Sequence, residues 1–149
     1  MKTASRILYV VATVFAAINV LIYIGLCVFC IINVNNTELV NFLSSRIIET
    51  FEIEEQYQHY VYEAITRSFI SNGISYAFAA IPNVVAIPVF LSARKKLEDI
   101  PDTPIGPFVA SVVFGILTTK VGIAAGALAI VARAIAIKHK KNSKVVDEQ

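Results

Sequence analysis

Glu55, His59 and Glu63 recur every fourth residue, and Glu52 lies about one turn earlier. On a helix this spacing puts carboxylates and an imidazole on one face, a set that can hold zinc. The intervening general base of H-E-x-x-H is missing, and a solvated acidic helix face has the same pattern. Cys27 and Cys30 form C-x-x-C. A zinc site would need a second cysteine pair or a nearby histidine, and a thioredoxin-like site would need a strand leading into a helix. Two small apolar residues inside a hydrophobic run is the simpler reading. No Gly-rich phosphate loop, G-x-S-x-G or paired metal motif is present. The expectation is therefore a protein with no catalytic residue, no cofactor and no metal.

Three further sets of residues concern association rather than reaction. Asn19 and Asn83 are amides within long apolar stretches. An amide in hydrocarbon needs a partner, so the two are expected to meet and join their helices. A polar path for a solute is the alternative. Gly122 and Gly126 form G-x-x-x-G, with Ala125, Ala129, Ala132 and Ala136 on a nearby face. Small residues let helices approach closely, either within a bundle or between two copies. Glu52, Glu54 and Glu55, followed by Tyr57 and Tyr60, combine charge with aromatic area and suit a partner surface.

These residues must be positioned by elements that the composition describes. Of 149 residues, 56% are hydrophobic and only 16% are charged. Soluble domains are about 45–50% apolar and about 25% charged. The excess lies in long blocks, which excludes a soluble enzyme domain, a disordered chain and a disulfide-stapled secreted module. A net charge of +2, with basic residues beside apolar blocks, argues against nucleic acid.

The first block, Ile7–Val34, follows Lys2 and Arg6. It is much longer than the about 7–15 residues of a secretory h-region, so it reads as an uncleaved span. Thr37–Arg67 differs in kind, with six glutamates against two arginines. Leu39, Leu43, Ile47 and Phe51 recur four apart, and a second stripe starts at Tyr57. Two short amphipathic helices, lying on the membrane surface or packed over the bundle mouth, are predicted there. Span two runs over about 69–93, with a kink expected from Pro82 and Pro88, and Arg94, Lys95 and Lys96 end it.

The block Ile105–Ile137 is either one helix or two. As one, it would reach about 50 Å and place Lys120 near mid-bilayer, at about 3 kcal/mol or more. Split at Thr118-Thr119-Lys120, it becomes two short spans. Charge decides between these: cations favour the cytoplasmic side. Four spans place both termini and the Arg94–Lys96 loop inside, and leave only Arg46, Arg67 and Lys120 outside. The basic tail Lys138, Lys140, Lys141 and Lys144 then meets anionic lipid.

The basic loop, the run Val113-Phe114-Gly115-Ile116-Leu117, the polar break, and Gly122-Ile123-Ala124-Ala125-Gly126 leading to a basic tail cover the last third of the chain. This pattern resembles the C-terminal half of small four-span membrane proteins of Gram-positive bacteria. The resemblance implies topology and no activity.

The expectation is an all-α, integral membrane four-helix bundle, one membrane domain over 1–149. Its spans are about 7–34, 69–93, 105–119 and 121–137. An external segment covers 35–68, a cytoplasmic loop 94–104 and a cytoplasmic tail 138–149. The protein would be multi-pass in the plasma membrane with both termini cytoplasmic. Its partners would be the lipid bilayer and another membrane protein or a second copy. The expected role is non-catalytic: an accessory, interaction or immunity-type membrane protein. The alternative is a holin-like pore former or a component of a small-solute transporter.

Overall fold

The computed structural model describes the backbone of residues 1–147 and side chains through Ser143. The side chain of Lys144, assigned above to the basic tail, lies outside the described residues. Five helices follow one another: α1 (Lys2–Val34), α2 (Thr37–Phe51), α3 (Glu55–Lys96), α4 (Gly106–Leu117) and α5 (Lys120–Asp147). Among the described residues there are no strands, and the protein is all-α. Three helices, α1, α3 and α5, are long and apolar enough to cross a membrane. At 12 residues, α4 rises only about 18 Å against about 30 Å of hydrocarbon.

Several boundaries differ from the sequence expectation. The second short amphipathic helix is not a separate element, because α3 already begins at Glu55 and continues through Asn72-Gly73, Pro82 and Pro88 to Lys96. Its 42 residues rise about 63 Å, roughly twice the hydrocarbon thickness. Both ends suit the helix dipole, with Glu55 in the first turn and Arg94, Lys95 and Lys96 in the last. As far as Asp147, the tail expected beyond residue 137 is the continuation of α5.

On α2 the buried residues are Val40 and Ser44, while Ile47 and Phe51 of the expected stripe are exposed. The Asn36 side chain accepts from the Leu39 N–H and sets the start of the helix. At the other end Glu52, with φ 48° and ψ 46°, turns the chain away just after Phe51.

The chain forms two compact units. Unit one is Met1–Val20 with Ile81–Gln149, and unit two is Leu21–Ala80. The main hydrophobic cluster belongs to unit one. It is built largely from alanines, namely Ala12 and Ala16 on α1, Ala86 and Ala93 on α3, and Ala125 and Ala129 on α5. Tyr9, Phe90 and Phe108 fill the space between them. In lipid, where the hydrophobic effect between helices is absent, such small residues allow the close contact that holds helices together.

Candidate functional site

Unit one contains a buried polar seam. Ser5 Oγ donates to the Ala125 carbonyl at 2.8 Å, tying α1 to α5. Ser111 Oγ, on α4, donates to the Phe108 carbonyl at 2.7 Å and lies 2.8 Å from Tyr9 Oη. A serine has one hydroxyl hydrogen, so Tyr9 is the donor in the Tyr9–Ser111 pair. All three side chains are fully buried. Each hydroxyl proton goes to a protein oxygen, so all three buried hydroxyls are satisfied within unit one.

The glycines explain how α4 and α5 come together. A Cβ on Gly115 would meet the backbone of Gly122 and Ile123, with Ile123 N at 2.4 Å. One on Gly122 would meet Phe90 at 2.6 Å, and one on Gly126 would meet Val112 and Ser111 at 2.5 and 2.7 Å. Gly122 and Gly126 are thus occupied by helices of their own chain. The turn between α4 and α5 is closed by Thr119, whose Oγ1 accepts from the Gly122 N–H at 3.2 Å.

Asn19 and Asn83 are brought together. Asn19 Nδ2 donates to Asn83 Oδ1 at 3.2 Å, with Asn83 buried one residue after Pro82.

The loop after α3 is contacted by cations of α1, α3 and α5. Arg6 of α1 pairs with Glu98, Lys96 of α3 lies 3.6 Å from Asp99, and Lys140 of α5 lies 2.6 Å from Asp102. Lys2 Nζ donates to the Ile100 carbonyl and Arg133 Nε to the buried Thr103 carbonyl, at 3.2 and 2.6 Å. The basic segments of α1, α3 and α5 therefore gather at one end of unit one.

Unit two presents a different kind of surface. After α2, the Glu52 and Ile53 N–H groups both point to the Ile48 carbonyl. Gln58 Nε2 then donates to the Ile53 carbonyl at 3.2 Å and Gln56 Nε2 to Glu54 Oε2 at 2.7 Å. The turn places Glu52, Glu54 and Glu55 in the open, beside Tyr57 and Tyr60, which are 52% and 59% exposed. Tyr57 and Tyr60 line an open groove of about 540 Å³ together with Ile47 of α2. Glu63 pairs with Arg67 at 2.5 Å, and Glu49 lies 3.7 Å from Arg46.

Among the described residues no group of three His, Cys, Asp or Glu side chains could hold a metal, Glu55, His59 and Glu63 included. Cys27 and Cys30 are free thiols, Cys30 buried.

Sequence reasoning missed Ser5, Tyr9, Ser111 and Arg133. Arg133 carried a signal, being the one cation between Val121 and Ile137. An ionisable residue at such a position calls for a named partner. Ser5 and Tyr9, one turn apart, carried a weaker one.

No family model, no curated protein and no solved structure matches the chain. Its class is given by its own features: an all-helical chain with three helices long and apolar enough to cross a membrane.

Proposed function

We propose that this is a non-catalytic, multi-pass membrane protein that works by contact, as an accessory, interaction or immunity-type protein. Its working surface is the segment from Glu52 to Tyr60. The observation carrying this reading is the groove beside three open carboxylates, with Tyr57 and Tyr60 more than half exposed. Uncovered aromatics on a charged segment mark an association surface. By contrast, the hydroxyls of unit one are consumed in holding helices together. Asn19 and Asn83, which motivate the pore and transporter alternative, bond to one another.

The topology we propose keeps four passes, the short α4 included, with both termini and the Arg94–Lys96 loop in the cytoplasm. What supports it is the gathering of Lys2, Arg6, Lys96, Arg133 and Lys140 at one end of unit one. The short α4 would lie in a locally thinned bilayer or be shielded by its neighbours. The resemblance to small four-span proteins of Gram-positive bacteria implies the same arrangement.

The test is purification in mild detergent with Glu52→Gln, Glu54→Gln and Glu55→Gln combined. A stoichiometric partner that is retained by the native chain, lost from the triple variant and weakened by salt supports the reading. A lone homo-oligomer that conducts ions in a planar bilayer overturns it in favour of the pore. Cysteine labelling of intact cells, with Cys27→Ala and Cys30→Ala as background, should reach 37–67 and the turn at Lys120 and miss both termini. Labelling of the C-terminal tail would refute the four-pass topology.

A further inference from the structure

We infer that the groove between α2 and α3 receives a cationic amphipathic helix of a partner polypeptide. This rests on the reading of Glu52–Tyr60 as the working surface and specifies what docks there. The groove floor comes from one face of α3, where Tyr57, Tyr60, Ala64 and Ile65 follow helical spacing. Ile47 of α2 and Ile53 of the turn complete the lining. The lining extends along α3 as far as Ser68, about 16 Å or three helical turns, which matches a short helix laid along it.

Charge selects among possible occupants. The arginines of the segment are already engaged, Arg46 with Glu49 and Arg67 with Glu63. Glu52, Glu54 and Glu55 form no ion pair among the described residues, are exposed, and flank the lining residue Ile53 in the chain. A membrane surface rich in anionic lipid would be repelled by them, and a second copy would bring the same carboxylates. A helix with an apolar face and lysines along its flanks satisfies both groove and rim. Its Leu or Ile side chains cover the tyrosines, and its cations meet the open glutamates.

The chain has no tryptophan, so one indole placed on a probe peptide reports without background. The probe is an 18-residue Leu/Lys amphipathic helix with a single Trp on its apolar face (about five turns, longer than the groove). The full chain is held in nanodiscs of phosphatidylcholine, and empty discs of the same lipid give the baseline. We expect saturable binding above that baseline, with a blue-shifted emission. Binding should weaken about tenfold or more in the Glu52→Gln, Glu54→Gln, Glu55→Gln variant, and high salt should mimic that loss. Tyr60→Ala, and Ala64→Phe which fills the groove without changing charge, should weaken it comparably. Both positions are exposed, and unchanged thermal unfolding confirms that the variants fold.

The inference is overturned if loaded and empty discs bind the peptide equally. It is also overturned if a Leu/Glu peptide binds as well, or if Ala64→Phe and Tyr60→Ala leave binding unchanged. Self-association through these residues would make the occupant a second copy and refute it too. Peptide failure alongside a co-purifying partner that still depends on the three glutamates would sink this inference and leave the broader reading standing.

Discussion

The two units are tied together internally by different means. In unit one, side-chain hydrogen bonds join residues far apart in sequence: Ser5 to Ala125, Tyr9 to Ser111, Asn19 to Asn83, Arg133 to Thr103. In unit two, the side-chain hydrogen bonds of residues 33 to 75 reach no more than five positions along the chain. Its helices meet instead through apolar and aromatic contacts, such as Phe29 with Phe69 and Tyr23 with Tyr76, both at 6.5 Å between ring centres. Long-range polar bonds specify one arrangement, because hydrocarbon offers no substitute partner for a broken one. Apolar contacts inside lipid have a competitor in the lipid itself. Unit one is therefore the scaffold, and unit two carries the proposed surface.

The largest effect should come from Gly115→Ala. The new methyl would collide with backbone, which cannot swing aside, so a loss of about 3 kcal/mol is expected. Gly25→Ala is the matching change on the α1 part of unit two. Nothing lies within 4 Å of its Cβ position, and the helix gains up to about 1 kcal/mol of propensity. Thermal unfolding in detergent should separate the two variants in opposite directions. Equal behaviour would mean that close helix contact is not what holds unit one.

Next comes Arg133→Met. It removes the donor to the Thr103 carbonyl, and Thr103 is almost completely buried. A charged hydrogen bond contributes about 1.5–3 kcal/mol, while removing a cation from an apolar helix returns part of that. Arg133 lies only about 6 Å from the end of the apolar run at Ile137, so the returned part is small. A net loss near 2 kcal/mol is expected, with faster amide exchange over residues 97–104. Unchanged exchange would show that the loop is held by its ion pairs alone.

How far the sequence foretold each unit follows from the same contrast. Period and hydropathy are local properties, and they located α1, the apolar part of α3, and the break at Thr118–Lys120. They also brought Asn19 and Asn83 forward, because an amide in an apolar run is conspicuous. In the sequence the charge cluster at Glu52–Glu55 and the end of the polar stretch near Arg67 both look like breaks, so the amphipathic start of α3 reads as a separate helix. Only the first is a turn. Ser5 and Ser111 are inconspicuous in the sequence because a serine in a span ordinarily bonds to its own helix, and nothing local distinguishes one that reaches Ala125 or receives Tyr9. Charge counting groups Arg133 with the cytoplasmic cations, although its neighbours Ala132 and Ala134 mark it as lying within the helix.

The Asn19–Asn83 pair tests the contrast at a smaller scale. Combining Asn19→Leu with Asn83→Leu should be non-additive, with a coupling of about 0.6 to 1.7 kcal/mol in unfolding stability. Strict additivity would show that the bond contributes nothing to holding α1 against α3.

The smallest expected effect lies in the turn of unit two. Glu52 adopts a left-handed conformation, φ 48° and ψ 46°, at the end of α2. That conformation suits glycine and costs another residue about 1 kcal/mol, and helix ends of this kind usually carry Gly or Asn. Glutamate gains nothing there from burial, since its side chain is exposed. Glu52→Gly should accordingly stabilise the protein by up to about 1 kcal/mol, offset in part by the greater freedom of glycine when unfolded. Glu52→Gln keeps the strain and removes only the charge, so it should leave stability within about 0.5 kcal/mol. If the carboxylate is held in a costly conformation because a cationic partner meets it, both substitutions should weaken partner binding although one of them strengthens the fold. Chemical unfolding read beside binding of the Leu/Lys peptide separates the cases. A Glu52→Gly protein that is more stable and binds undiminished would remove Glu52 from the surface and leave Glu54 and Glu55 to carry the charge.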